Sequence, residues 1–142
     1  MQTNQSNKIP EIRQTIVCNA PIERVWEAVA TSEGIAAWFM PNDFKPIKGY
    51  EFQLNAGPFG MSPCKVMELD PPKRLSFTWG KDWTVTFELT TLEDGTTEFT
   101  LIHSGWDPDT VTEFGETHVV VRDRMANGWV GLLKALRTHV EA

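Results

Sequence analysis

Between residues 75 and 103 apolar side chains recur at every second position, in three segments: Leu75, Phe77 and Trp79; Val85, Phe87 and Leu89; then Phe99 and Leu101 with His103 in the same register. A period of two places successive side chains on opposite faces of a strand, so each segment offers one apolar face. Pro71-Pro72-Lys73 makes a tight, rigid connection ahead of the first segment, and Glu93-Asp94-Gly95-Thr96 makes a hairpin between the last two. An antiparallel meander is the simplest topology. Its apolar face needs a cover, and the chain offers one long candidate. Over residues 118 to 140, Val121, Met125, Trp129, Leu132, Leu136 and Val140 fall at steps of three and four, the stripe of a helix of about 20 residues. Gly128 and Gly131 each weaken that helix by up to ~1 kcal/mol. They therefore mark places where its backbone approaches the sheet closely or leaves space for something else.

Upstream, residues 9 to 18 read as a first strand that runs into a helix start at Asn19-Ala20-Pro21. Pro21 suits the first helical position, where its missing N–H costs nothing, and Glu23 suits the positive end of the helix dipole. Ile22, Val25, Trp26 and Val29 then give a short amphipathic helix over 21 to 30. Ser32 is placed to cap a second short helix carrying Ile35, Trp38 and Phe39, which Pro41 stops. Phe52 and Leu54 alternate before the turn at 57 to 60, and the run from 65 to 70 forms a further strand whose face Val66 fixes. The expected architecture is α+β, a single domain over residues 9–142 behind a flexible polar tail at residues 1–8.

Composition excludes several functions. The net charge of -6 and the absence of a Lys/Arg cluster argue against phosphate-backbone contacts. Apolar stretches fall far short of the roughly 20 residues of a membrane span, and the first residues lack signal-peptide architecture, so a cytoplasmic location is expected. Cys18 and Cys64 are too far apart in sequence for a CxxC pair and read as half-buried free thiols.

The inward face is rich in aromatic rings: Phe52, Phe77, Trp79, Phe87 and Phe99 from the strands, Met125 and Trp129 from the last helix. Trp38, Val66 and Leu101 complete the candidate ligand-binding set. Such side chains are core material as readily as stacking surfaces. His103 is a candidate polar anchor for a ligand hydroxyl or carbonyl, or else a satisfied structural group. Glu68 and Arg122 are candidates for the cavity mouth or for solvated surface. No nucleophile with a base, carboxylate pair or phosphate-binding glycine loop has a recognisable spacing, so no catalytic residue and no cofactor is expected. His103, Asp107 and His118 could meet as metal ligands only if a long loop folded back.

The order strand, two short helices, antiparallel strands, long C-terminal helix is the helix-grip arrangement, and several strings strengthen the match. These are Ala20-Pro21-Ile22-Glu23-Arg24-Val25-Trp26, Trp38-Phe39, Glu68-Leu69-Asp70-Pro71-Pro72-Lys73-Arg74-Leu75, Val85-Thr86-Phe87-Glu88-Leu89, His103-Ser104-Gly105-Trp106 and Asn127-Gly128-Trp129. Over roughly residues 12 to 140 the chain resembles the START-like (SRPBCC) superfamily, and within it the bacterial homologues of the activator of heat-shock-protein-90 ATPase. The resemblance implies a cavity between a curved sheet and the C-terminal helix that binds an apolar, aromatic small molecule: lipid-, polyketide- or flavonoid-like. It also implies two alternatives, a cyclase- or hydrolase-like enzyme using the same cavity and a chaperone ATPase co-activator. The eukaryotic activators carry a separate chaperone-binding domain for which 142 residues leave no room, which sets the co-activator reading below ligand carriage. Gates for such a cavity are expected at residues 57 to 60 and 106 to 116.

Overall fold

The computed structural model describes residues 10–106 and 116–142. Strand β1 (Ile12–Cys18) leads into helices α1 (Ile22–Val29) and α2 (Ser32–Trp38). Strands β2 (Glu51–Asn55), β3 (Met61–Asp70), β4 (Arg74–Trp79), β5 (Trp83–Thr91) and β6 (Thr97–Ser104) follow, and helix α3 (His118–Glu141) closes the fold. The strands form one six-stranded sheet in the order β1-β6-β5-β4-β3-β2, every neighbouring pair antiparallel. The meander is thus present, with β1 added beside β6. The polypeptide is a helix-grip domain in which the curved sheet wraps α3.

The alternation sorts the two faces as expected. Phe77 pairs with Val85 and Leu75 with Phe87 across β4 and β5, and all four are buried. Their rings and those of their neighbours form a continuous path. Phe44 meets Phe52 at 5.2 Å, Phe52 meets Phe77 at 5.4 Å, Phe77 meets Phe87 at 5.8 Å, and Phe87 meets Phe99 at 5.4 Å. On the opposite face hydroxyls hydrogen-bond across strands, Thr86 to Ser76 at 3.3 Å and Thr15 with Thr100 at 3.0 Å. Arg74 there is ion-paired with both Glu68 and Glu88. A sheet with one aromatic and one hydroxyl-bearing face can bury only the first against helices.

The helices are tied by side chains to backbone groups that a helix end leaves unpaired. Trp38 Nε1 donates to the Ala28 carbonyl at 2.8 Å and fixes α2 on α1. Arg24 donates to the carbonyls of Val140 at 2.6 Å and Ala142 at 2.8 Å, placing a cation on the negative end of the α3 dipole. At the corner between α1 and α2, a Cβ on Gly34 would stand 2.3 Å from the Glu27 carbonyl oxygen, so only glycine lets the two backbones cross this closely.

Three local expectations are corrected. Thr31, not Ser32, caps α2, its hydroxyl accepting the Gly34 N–H at 3.0 Å. Ser32 is already helical and instead donates to the Asn42 carbonyl at 2.8 Å. Pro21 is the N-cap of α1, its extended φ of -68° and ψ of 156° placing it one position ahead of the first helical residue. In α3, Leu133 is the buried core residue where Leu132 was expected, because the stripe drifts around a 3.6-residue helix. A Cβ at Gly128 or Gly131 meets nothing within 4 Å, so these glycines leave space and mark no close approach. Residues 1–9, which include the expected tail, lie outside the described residues.

Phe87 is 1% exposed and touches Trp38, Phe77 and Phe99. Phe87→Ala is expected to destabilise the fold by roughly 3 to 5 kcal/mol in chemical denaturation, the loss for a packed core ring. A loss below about 2 kcal/mol would show that the ring borders open space instead.

Candidate ligand cavity

Where the sheet curls past the first half of α3 it leaves a cavity of about 620 Å³. This is within the usual size of a small-molecule site. Five parts of the chain build its wall: the end of α2, the β2–β3 hairpin, the β4–β5 turn, Glu116, and the helix face carrying Val121, Met125, Gly128 and Leu132. Phe39 follows the last helical residue of α2, and its ring stacks on Trp129 at 5.2 Å and on Trp38 at 5.4 Å. Trp79 ends β4 and Trp83 begins β5, so the two indoles meet edge-on across a tight turn with ring centroids 5.4 Å apart. Met40, Met61 and Met125 supply flexible, polarizable surface between the rings. Polar groups also line it: Asn55 and Ser62 from the hairpin, Lys81 and Asp82 from the β4–β5 turn, and Glu116 with Arg124 near α3. Arg124 holds Glu116 through two charge-assisted hydrogen bonds of 2.7 Å each, and the pair keeps that carboxyl below its usual range.

The β4–β5 turn is held from behind. Gly105, at a φ of +97°, lies against the backbone of Asp82, where an added Cβ would stand 2.0 Å from the Asp82 carbonyl oxygen. That approach brings Trp106 under Trp83, ring centroids 4.9 Å apart.

Behind the wall is an aromatic cluster centred on His103, which is fully buried. Trp129 Nε1–H donates to His103 Nδ1 at 2.9 Å, and Trp106 Nε1–H donates to the His103 carbonyl at 2.9 Å. An Nδ1 that accepts a hydrogen bond belongs to a neutral imidazole with its proton on Nε2. The electrostatics agree: burial first, then the charges of Arg122 and His118, lower the His103 pKa from 6.5 to about 3. His118, also buried, begins α3 with Nε2 3.6 Å from Asp82 Oδ2.

Of the residues expected from sequence to bind ligand, Trp79 and Met125 stand on the cavity wall. Trp38, His103 and Trp129 lie one layer behind it, in ring contact with Phe39 or Trp79. Phe52, Val66, Phe77, Phe87, Phe99 and Leu101 are packed in the core, where Phe87 meets Trp38 at 5.9 Å. Glu68 and Arg122 are not at the mouth. Glu68 pairs with Arg74 on the outer face, and Arg122 donates to the Pro10 carbonyl at 2.7 Å, ahead of β1. Phe39, Met40, Met61 and Trp83 were missed by sequence reasoning. Only Trp83 had a signal there, since it extends the alternation of Val85 and Phe87 two residues upstream. Asp107 and most of the gate expected at 106 to 116 lie outside the described residues.

Among the described residues no group of three His, Cys, Asp or Glu side chains is placed to hold a metal, and no helix is long and apolar enough to cross a membrane. Both thiols are free and buried, and burial raises Cys18 to about 11 and Cys64 to about 12. They are protonated and poor nucleophiles at neutral pH.

A curved sheet gripping a long helix, with an aromatic-walled cavity at one end, defines a START-like domain. The family model described as activator of Hsp90 ATPase homolog 1-like protein matches residues 19–141, and the chain belongs to that family. Among solved structures, the Bacillus halodurans protein BH1534 is 49% identical, with a TM-score of 0.86 over 95% of this chain and 99% of that one. A Mesorhizobium loti protein, MLL2253, is 29% identical with a TM-score of 0.75, over 88% of this chain and 95% of that one. The Aha1 dimer from Colwellia psychrerythraea, at 21% identity and a TM-score of 0.73 over 94% of this chain and 97% of that one, shares the fold. No curated protein matches the chain.

The depressed His103 pKa has a stability consequence. The unfolded chain binds this proton below about pH 6.5 and the native protein only near pH 3, so the stabilisation is complete above 6.5 and lost as pH falls toward 3. His103→Gln is expected to flatten the fall of unfolding free energy between those limits, by up to about 1.4 kcal/mol per pH unit, in denaturant titrations at stepped pH. An unchanged slope in the variant would mean that His103 does not carry the pH dependence.

Proposed function

We propose that this protein binds flat hydrophobic small molecules, polyketide-, flavonoid- or lipid-like, in the cavity between the β2–β3 hairpin and α3. The observation that carries the reading is the composition of the wall. Phe39, Trp79 and Trp83 supply aromatic surface, with Trp79 at steep angles of 85° and 76° to the other two, and Met40, Met61 and Met125 can adapt to ligands of differing outline. Trp38, His103 and Trp129 serve the site by holding those rings in place. Phe52, Val66, Phe77, Phe87, Phe99 and Leu101 take part as the rigid floor that keeps the cavity at one end of the grip. The thiols are buried and free, which suits a reducing, cytoplasmic setting.

A second reading, co-activation of a chaperone ATPase, is favoured by the description of the family. In that case the function would rest on an outer surface, and the cavity would be incidental.

Titration with a library of flat apolar compounds is expected to give saturable quenching of tryptophan fluorescence at micromolar concentrations. NMR shifts should concentrate on Met61, Trp83 and Met125, and long polar or highly charged molecules should not compete. Absence of saturable quenching and of cavity shifts across a diverse library would remove the carrier reading. Stimulation of a chaperone ATPase by the same sample would then establish the second.

A further inference from the structure

Gly128 sits in the interior of α3, and with Met125 and Leu132 on the same face of the helix it lines the cavity. Short of proline, glycine is the residue least suited to a helix interior, because it gives up the most backbone freedom on folding. Two structural needs can outweigh that cost, a left-handed backbone or a close approach of chains, and this protein shows both elsewhere. Gly105 has a φ of +97°, and a Cβ on Gly34 would stand 2.3 Å from the Glu27 carbonyl oxygen. Gly128 has neither need. Its backbone is helical, and a Cβ built there meets nothing within 4 Å among the described residues. Gly131 is equally unhindered, but it is not on the cavity wall, whereas Gly128 is.

Resting on the ligand-carrier reading above, we propose that Gly128 is a specificity-determining residue of the cavity, keeping room along α3 for wide fused-ring ligands that a side chain at this position would exclude. Met125 and Leu132 flank the gap on the helix, one turn before and one turn after it. Trp129, next in sequence, is fully buried and stacked on Phe39, which holds this turn of α3 in place. A flat ring system laid here meets helix backbone instead of a branched side chain, and the cavity is wider by the depth of the side chain that is missing. A leucine projecting into that space would compete with the outer ring of a wide ligand, because close-packed walls have little slack to absorb it. A narrower ligand has room to lie against the other walls and avoid it.

The test uses two probes, 9-fluorenone and 2,3-benzofluorenone, the same ketone extended by one fused ring. Wild type is expected to bind both, with NOEs from the larger probe to the Gly128 α protons. Gly128→Leu should weaken binding of the larger probe at least about tenfold, the scale on which an apolar pocket rejects excess bulk, and change that of 9-fluorenone by less than about twofold. Gly131→Leu, off the wall, should leave both affinities as in wild type. Gly128→Ala should unfold a few degrees above wild type, since alanine is the better helix former where nothing obstructs its Cβ. Undiminished binding of the larger probe by Gly128→Leu, or an equal loss of both probes, would overturn the proposal while leaving the carrier reading in place. Silence of the Gly128 α protons with the larger probe bound would do the same, and that is read in wild type, so the result does not depend on a variant folding. A Gly128→Ala protein less stable than wild type would show a structural need for glycine and overturn it as well. Binding of neither probe by wild type would remove both readings.

Discussion

The separation between α3 and the sheet is set by one ring. Phe39 stacks on Trp129 of the helix at 5.2 Å, stacks on Trp38 at 5.4 Å and meets Trp79 of the sheet edge-on at 5.6 Å. A helix resting directly on the strands would close the grip, whereas a wedge at this point holds helix and sheet apart on one side. Trp38, Phe77, Phe87 and Phe99 belong to the buried core beyond it. Phe39 is placed by chain geometry rather than helical periodicity. It caps α2 with a φ of -117° and a ψ of -90°, which turns its side chain off the helix face and into the gap.

The polar groups behind the wall follow from the same packing. His103 lies on the inward register of β6, where burial keeps the imidazole neutral, and Trp129 from α3 supplies the hydrogen bond that orients it. The Trp129 ring therefore has two neighbours that fix it, Phe39 on one side and His103 on the other. Trp79 and Trp83 are braced in turn by His103, Trp106 and the close approach of Gly105 to Asp82. A wall built of mutually fixed rings is preorganised, so a ligand entering it loses little to rearrangement of the protein.

The fold was readable from sequence because its period-two and period-3.6 segments are long and uninterrupted. Leu75 to His103 fixes three strands and their inward face, and the stripe from Val121 to Val140 fixes the helix that covers them. The site was less readable. Alternation shows which residues face inward, but it cannot show how deep the core is filled, and six of the residues expected to bind ligand lie within that filled part. Met61 begins a strand and Phe39 ends a helix, positions where periodicity carries no information. Trp83 was within reach of the same pattern that identified Phe87. The capping of α2 by Thr31 turned on a choice between two adjacent hydroxyl residues, each a good cap in isolation.

The central claim is that ligands occupy the space beside the Phe39 wedge and not the core beyond it. Intermolecular NOEs from bound 9-fluorenone to protein labelled with ¹³C at methionine, leucine and valine methyls test this directly. The account predicts contacts to Met40, Met61 and Met125, none to Val66 or Leu101, and none to Met67, which is exposed at the register shift in β3. Contacts to Val66 and Leu101 with the three cavity methionines silent would contradict it.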